Sequence, residues 1–353
     1  MRVGVLGTGA IARKHAQAYR NIGFQVKACT DINPEAGKQF AAETGAEFVP
    51  NYEDLCRHSQ VDYIDLCTLP GFRLPAVQRC AEAGRHILVQ KPMATDPDIA
   101  RQMIETAREG GIQLGVVSQH RFDDATRFVK QAIQSGRLGD LLQIDAYVKW
   151  YRSPEYYSRP IKGTWAVEGG GALINQAIHH IDLLLYLAGP VEQVFALWQL
   201  GRVHQIESED NLSAVLKFAS GAQGVLQAAT SLWPGYPERL EIHGTKGTAI
   251  ITGDKLTTWD VKDDAGEEAP IVREITSGAS DPMAISTLPF ERQFLDFGQA
   301  CKSGRRPLVC GEDGYRALQL VTSIYESCRR GAPIDIEEQA FSTETAHAPV
   351  AGD

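Results

Sequence analysis

The sequence predicts two domains: an α/β domain built on a doubly wound parallel sheet, then an α+β domain with a large, mostly antiparallel open sheet. Three observations predict it. Residues 1–120 alternate short apolar strands with helical stretches, the pattern of a parallel sheet covered on both faces. Residues 121–337 carry long strands of alternating polarity, as in a sheet with one buried face. At 353 residues the chain exceeds what one ordinary core supports. Residues 338–353, rich in Thr, Glu and Ala, are expected to form a loosely held tail.

In the first domain, strands are expected over 3–6, 26–30, 48–50, 63–67, 87–90 and 114–117. A helix over 10–21 follows the first strand. Asn33-Pro34 supplies an N-cap with proline at the first helical position. A brief helix opens at Tyr52, and the helix over 74–83 is stopped by Gly84. Thr95 and Pro97 open the next. In the second domain, helices are expected over 123–135 and 173–188, and strands over 141–151, 193–200, 211–219, 224–232, 240–243 and 248–251. Ser220-Gly221-Ala222 and Thr245-Lys246-Gly247 read as hairpin connections. Residues 262–287, acidic and bearing Gly, Pro and Ser, read as a loop before helices over 291–303 and 313–330.

Hydrophobic residues at 43% and charged residues at 22% are those of a soluble globular chain. The net charge of -9 argues against a nucleic-acid or anionic-membrane partner. An anionic small substrate stays open, since a few local Arg and Lys suffice for it. No apolar run reaches the ~20 residues of a spanning helix. The 7 cysteines include no C-x-x-C pair, so neither a zinc knuckle nor a redox dithiol is indicated. A reduced, cytoplasmic protein is expected. With the first strand expected at the very start of the chain, no signal peptide is expected.

Three segments carry chemistry. Gly7-Thr8-Gly9-Ala10-Ile11-Ala12 follows a strand and opens a helix. Gly7 permits the tight turn, Gly9 lets a pyrophosphate approach the backbone, and the helix N-terminus offers unpaired N–H groups. Asp31, at the end of the second strand, is placed to accept hydrogen bonds from the ribose hydroxyls of a dinucleotide. Its charge disfavours a 2′-phosphate, so NAD is expected over NADP. Lys91 lies at the carboxyl end of a later strand, where it can steady a developing alkoxide. In Gly169-Gly170-Gly171 and the helix after it, regular spacing puts Asn175, His179 and Asp182 on one stripe. His179 suits a base near neutral pH. Adjacent His179 and His180 point in different directions and no H-x-x-x-H pair exists, so no metal is expected.

Together these motifs resemble the Gfo/Idh/MocA oxidoreductases, named for glucose–fructose oxidoreductase and inositol dehydrogenase. The resemblance extends to about residue 335. It implies that Lys91 and His179 form the catalytic pair with position 175, and that substrate lies between two domains, over the nicotinamide. Cofactor contacts are expected from Gly7, Gly9, Ala10, Ile11, Asp31, Thr68, Arg73, Gln90, Lys91, Gln119 and Trp165. Substrate contacts are expected from Lys91, Arg121, Lys149, Arg152, Tyr156, Asn175, Gln176 and His179. An Arg- and aromatic-rich segment, 149–157, suits the faces and hydroxyls of a sugar.

Three positions depart from the family pattern. Gln90 stands where Glu is usual and would hydrogen-bond the nicotinamide ribose without charge. Asn175 replaces a common Asp and would orient substrate, leaving proton transfer to His179. Arg73 takes the place of a usual His and would add a cation near the cofactor. The expected reaction is hydride transfer between NAD and a secondary alcohol or ketone of a sugar, glycoside, nucleotide-sugar or cyclitol. Two rivals are an NAD-dependent glycosidase working through a transient keto-sugar, and a non-catalytic NAD-linked binding protein. The resemblance also implies a homodimer or homotetramer formed through the second-domain sheet.

Overall fold

Apolar runs too short for helices pair into the first sheet of the computed structural model, which describes residues 1–264, 266, 268–272, 286–337 and 341. Its strands are β1 (Arg2–Leu6), β2 (Gln25–Thr30), β3 (Glu47–Phe48), β4 (Tyr63–Leu66), β5 (His86–Val89) and β6 (Leu114–Val116). All pairings are parallel, in the order β3-β2-β1-β4-β5-β6. Helices α1 (Ala10–Asn21), α2 (Pro34–Thr44), α3 (Tyr52–Arg57), α4 (Leu74–Glu82) and α5 (Pro97–Glu109) connect them. Asn33 caps α2 as expected, accepting from Glu35 N at 3.1 Å. The strand order reverses between β1 and β4, so the carboxyl ends of these strands open the crevice where such sheets bind ligands.

In the second region, α6 (Asp124–Gln134) and α7 (Trp165–Glu168) precede α8 (Ile178–Ala188). The sheet is built from β7 (Leu141–Lys149), β8 (Val191–Leu200), β9 (Glu209–Phe218), β10 (Gln223–Ala229), β11 (Arg239–Gly244), β12 (Gly247–Thr252), β13 (Lys255–Val261) and β14 (Ile334–Asp335). Its order is β13-β12-β11-β7-β10-β9-β8-β14, with β7 and β10 parallel and the rest antiparallel. Strands β13 and β14 lie where no strand was expected. One face is buried through Ile144, Ala146, Leu212, Ala214 and Leu226. The other leaves Phe195, Leu197 and Val215 exposed. The expected helix over 173–188 is a π turn, Leu173–Ala177, running into α8.

The chain divides into two compact units, and the division is not contiguous. One unit holds Met1–Val117 with Phe290–Tyr315; the other holds Ser118–Pro289 with Arg316–Glu338. Helix α9 (Leu288–Ser303) thus belongs mainly to the first sheet, not to the second domain as the boundary at residue 120 implied. Phe290, Phe294 and Phe297 recur at helical spacing and are each at most 2% exposed. Phe294 stacks on Tyr19 at 4.3 Å, and Gln293 Nε2 donates to Val116 O at 2.7 Å. A sheet face needs a cover, and this one comes from far along the chain. The last long helix is α10 (Gly311–Arg330). The expected tail apart from Phe341, and part of the expected loop over 262–287, lie outside the described residues.

Candidate active site

The glycine turn fits a dinucleotide. Gly7 has φ +89°, and a Cβ there would stand 3.0 Å from Thr68 N. A Cβ on Gly9 would meet nothing within 4 Å, so the backbone lies open to a ligand. Gly9 caps α1 without a side-chain bond, and the first turn of α1, which starts with Ala10 and Ile11, carries no acidic residue. Its N–H groups and dipole therefore favour an anion. Asp31 is held in place: Oδ2 accepts from Thr8 N at 2.7 Å and Thr8 Oγ1 at 2.9 Å, and Oδ1 from Asn33 N at 2.8 Å. Its remaining lone pairs are directed by these bonds. Thr68 Oγ1 is buried and has no partner among the described residues, an acceptor or donor suited to a bound ligand.

Lys91 lies two residues past the end of β5, at the carboxyl edge of the sheet. Its backbone N–H donates to Gln90 Oε1 at 3.0 Å. Gln90 is 5% exposed, and its Nε2 faces His15 Nε2 at 2.9 Å. Both ends of this amide are therefore engaged inside the unit, in place of the ribose contact expected of it. Arg73 also differs from expectation. It is 2% exposed, with Nε donating to Thr68 O at 3.1 Å and Nη1 to the carbonyls of Gln90 and Pro92. A buried guanidinium needs acceptors, and it finds them in backbone carbonyls at the ends of β4 and β5. Burial lowers its pKa to about 9. Arg73 is thus a strut on both sides of Lys91 rather than an open cation.

The second unit presents the histidine helix. The π turn interrupts the regular spacing between Asn175 and His179, so the single α-helical stripe is not formed as expected. Asn175 Nδ2 donates to the carbonyls of Gly170 and Gly171 at 3.0 and 3.2 Å. Those glycines are sterically required. A Cβ on Gly171 would lie 1.9 Å from Glu209 O, and one on Gly170, at φ +146°, would lie 2.2 Å from Tyr325 Oη. Glu209 accepts from Gly171 N at 2.9 Å, Leu173 N at 2.8 Å and Tyr325 Oη at 2.9 Å. Burial raises its pKa to about 7.

His179 meets the ring of His120 edge-on, with centroids 5.1 Å apart. His120 Nδ1 lies 2.7 Å from Asp123 Oδ2. Burial disfavours charge on His120, but Asp123, with Glu238 and Asp254 beyond it, holds its pKa above the ordinary histidine value. His180 is forced down to about 4 by burial. Gln176 Nε2 donates to Tyr156 Oη at 3.1 Å, and its Oε1 is buried with no partner among the described residues. Gln119, 2% exposed, likewise keeps an unpartnered Oε1. Arg152 packs its guanidinium over Trp150 at 4.8 Å and Tyr156 at 5.7 Å. Lys149 lies over Tyr147 at 5.0 Å.

Two residues expected at ligands have other occupations. Arg121 is 4% exposed and grips Asp182 with Nε at 2.8 Å and Nη2 at 2.6 Å, stacked on Tyr186. A buried cation requires such a counter-ion, and the pair ties the segment after β6 to α8. Trp165 donates from Nε1 to Glu207 O at 3.2 Å, beside Trp198 and Tyr325. Sequence reasoning missed His15, Asp65, His120 and Glu209. The signals were available for two of them: Asp65 is a charge inside an apolar parallel strand, and His120 sits between expected site residues.

Comparison with known proteins agrees with this architecture. Residues 1–118 match the oxidoreductase family with an NAD-binding Rossmann fold, and residues 126–250 match the GFO/IDH/MocA C-terminal domain. The WlbA dehydrogenase of Bordetella pertussis, solved in complex with NADH and UDP-GlcNAcA, is 30% identical with a TM-score of 0.87, covering 96% of this chain and 98% of that one. Myo-inositol 2-dehydrogenase of Thermotoga maritima is 26% identical over 96% of this chain and 99% of its own. The 1,5-anhydro-D-fructose reductase of Ensifer adhaerens is 26% identical over 95% and 98%. These relatives are dehydrogenases and a reductase, which favours net hydride transfer over the glycosidase alternative. Among the described residues, no helix is long and apolar enough to cross a membrane. The chain belongs to the Gfo/Idh/MocA family and is an NAD-dependent oxidoreductase.

Proposed function

We propose that this chain oxidises a secondary alcohol of a sugar, nucleotide-sugar or cyclitol, or reduces the matching ketone, with Lys91 and His179 as its catalytic residues. The supporting observation is the backbone clamp on Lys91: Gln90 and Arg73 hold both sides of one lysine at the carboxyl edge of the sheet. NAD, when bound, supplies the hydride acceptor. Gly7, Gly9, Asp31 and Thr68 hold its nucleotide half, with Ala10 and Ile11 offering helix N–H groups. Lys91 steadies the substrate oxygen as negative charge develops, and His179 takes the hydroxyl proton in the oxidative direction. Gln119 Oε1 accepts a ligand N–H or O–H.

Arg152, Tyr156 and Gln176 form the substrate side. The cations Lys149 and Arg152 in this region favour a substrate bearing a carboxylate or phosphate, such as a nucleotide-sugar acid. The test is initial-rate NADH formation with a panel of inositols, glucosides, anhydrosugars and nucleotide-sugars, each with NAD and NADP. Turnover of an anionic nucleotide-sugar at least tenfold above neutral sugars is expected; inactivity across the whole panel with intact NAD binding would overturn the proposal. A second copy of the chain covers the outer sheet face at Phe195, Leu197 and Val215, and light scattering of Leu197→Glu against the native chain checks it.

A further inference from the structure

Behind Lys91 lies a buried line of hydrogen bonds. His15, on α1, and Asp65, on β4, are each 0% exposed, and neither belongs to the glycine turn or to the strand end that carries Lys91. The line starts at Lys91, whose backbone N–H donates to Gln90 Oε1 at 3.0 Å. That bond identifies the oxygen end of the Gln90 amide. Nε2 is therefore the donor, and it faces His15 Nε2 at 2.9 Å. A ring nitrogen that accepts an N–H bond carries no proton. The His15 proton must lie on Nδ1, which is 2.7 Å from Asp65 Oδ2. The same carboxylate oxygen accepts from Tyr19 Oη at 2.9 Å, and Oδ1 accepts from Cys67 Sγ at 3.4 Å.

His15, Asp65 and Cys67 bring their ligand atoms within 4.8 Å of one another, as a metal site would. The 2.7 Å separation of Nδ1 and Oδ2 is that of a direct hydrogen bond. Two ligand atoms each about 2 Å from a tetrahedral zinc would stand about 3.3 Å apart, so the 2.7 Å contact fits a proton-ordered network instead.

We infer that His15 is a positioning residue for Lys91: neutral, with its proton on Nδ1, it holds the Gln90 amide, which holds the Lys91 backbone. The inference rests on the proposed catalytic role of Lys91. It also accounts for Gln90. A glutamate there would set a carboxylate against the Nε2 lone pair and would demand a second proton on the ring. Gln90 and a singly protonated His15 are one device, with Asp65 fixing the tautomer as a carboxylate does beside a catalytic histidine.

The test combines a spectrum with kinetics on the full chain. Long-range proton–nitrogen spectra of the ¹⁵N-histidine-labelled protein should show His15 protonated at Nδ1 alone, and at both nitrogens in Gln90→Glu. A native His15 signal protonated at Nε2, or at both nitrogens, overturns the inference without reference to activity, and it does so even if a variant fails to fold. Gln90→Met should lower kcat by about 10- to 100-fold, since misplacement by about 1 Å costs that much, with the NAD Kd within about twofold. Gln90→Glu should add an ionisation to the kcat–pH profile that the native enzyme lacks; a merely structural role would leave the profile unmoved. Turnover surviving in Lys91→Met sinks the reading of Lys91. Turnover lost in Lys91→Met but unchanged in Gln90→Met sinks the positioning role alone.

Discussion

The two units support the side chains proposed as catalytic by different physics. Around Lys91 the support is a set of directed hydrogen bonds through Gln90, His15 and the carbonyls that Arg73 grips. Around His179 the support is steric threading, with glycines passed between Glu209 and Tyr325 and a carboxylate buried to receive them. A hydrogen-bonded support tolerates changes of volume but not of donor and acceptor pattern. A threaded support tolerates polarity changes but no added atom. Each can be broken in its own way, and the size of the effect tells which kind of support is at work.

The largest expected effect comes from removing the supported group itself. Lys91→Met should cut kcat by about 10³-fold, with the NAD Kd little changed, because charge stabilisation at the reacting oxygen is lost while the nucleotide cradle is intact. Steady-state rates with cofactor titration by fluorescence check it. Loss of NAD binding in parallel would make Lys91 a cofactor residue.

On the threaded side, Gly171→Ala places a methyl group 1.9 Å from Glu209 O, a backbone atom that cannot swing away. A loss of about 3 kcal/mol or more is expected in denaturant unfolding. Ala at Gly9, with open space around its Cβ position, should fold normally and lose NAD affinity instead. Equal stability losses at both glycines would erase the distinction.

Glu209 sharpens the contrast through pH. Its pKa is raised from 4.5 to about 7, so the folded state holds its proton more tightly than the unfolded state. Its contribution is full below about pH 4.5 and is lost as pH rises through about 7, worth at most about 3 kcal/mol. Glu209→Gln should flatten that part of the stability–pH curve. An unchanged slope would locate the pH response elsewhere, with the His120–Asp123 pair next in line.

The parallel sheet was legible because apolar strands, N-caps and the glycine turn all report local backbone needs. The division of the chain was not. The aromatic stripe on α9 is readable as a buried face, but nothing within it says that the first sheet is what it covers. The proposed site was read from Gly7, Asp31, Lys91 and His179, whose residue types carry chemistry at motif spacing. Arg73 and Arg121 were misread because a cation near a motif looks like a ligand group until its burial and counter-charges are known. The π turn was invisible because widening one turn of a helix leaves composition and hydrophobic pattern intact. Glu209 begins a strand, where an acidic residue ordinarily faces water.

The smallest expected effect tests whether restoring the family residue restores its chemistry. Asn175→Asp recreates the common pattern, yet Asn175 Nδ2 now donates to two glycine carbonyls at 3.0 and 3.2 Å. An ionised Asp has no donor for them and sets negative charge against their oxygens. The variant should therefore lose about 1 kcal/mol of stability at pH 8 and several-fold in kcat, and should recover toward native behaviour as the pH falls and a protonated carboxyl regains one donor. Thermal unfolding and rates between pH 4.5 and 8 decide it. A variant faster than the native enzyme at high pH would mean that the carboxylate acts as a base and that the glycine turn adjusts to it, which would place the threaded support closer to the hydrogen-bonded one than the native contacts imply.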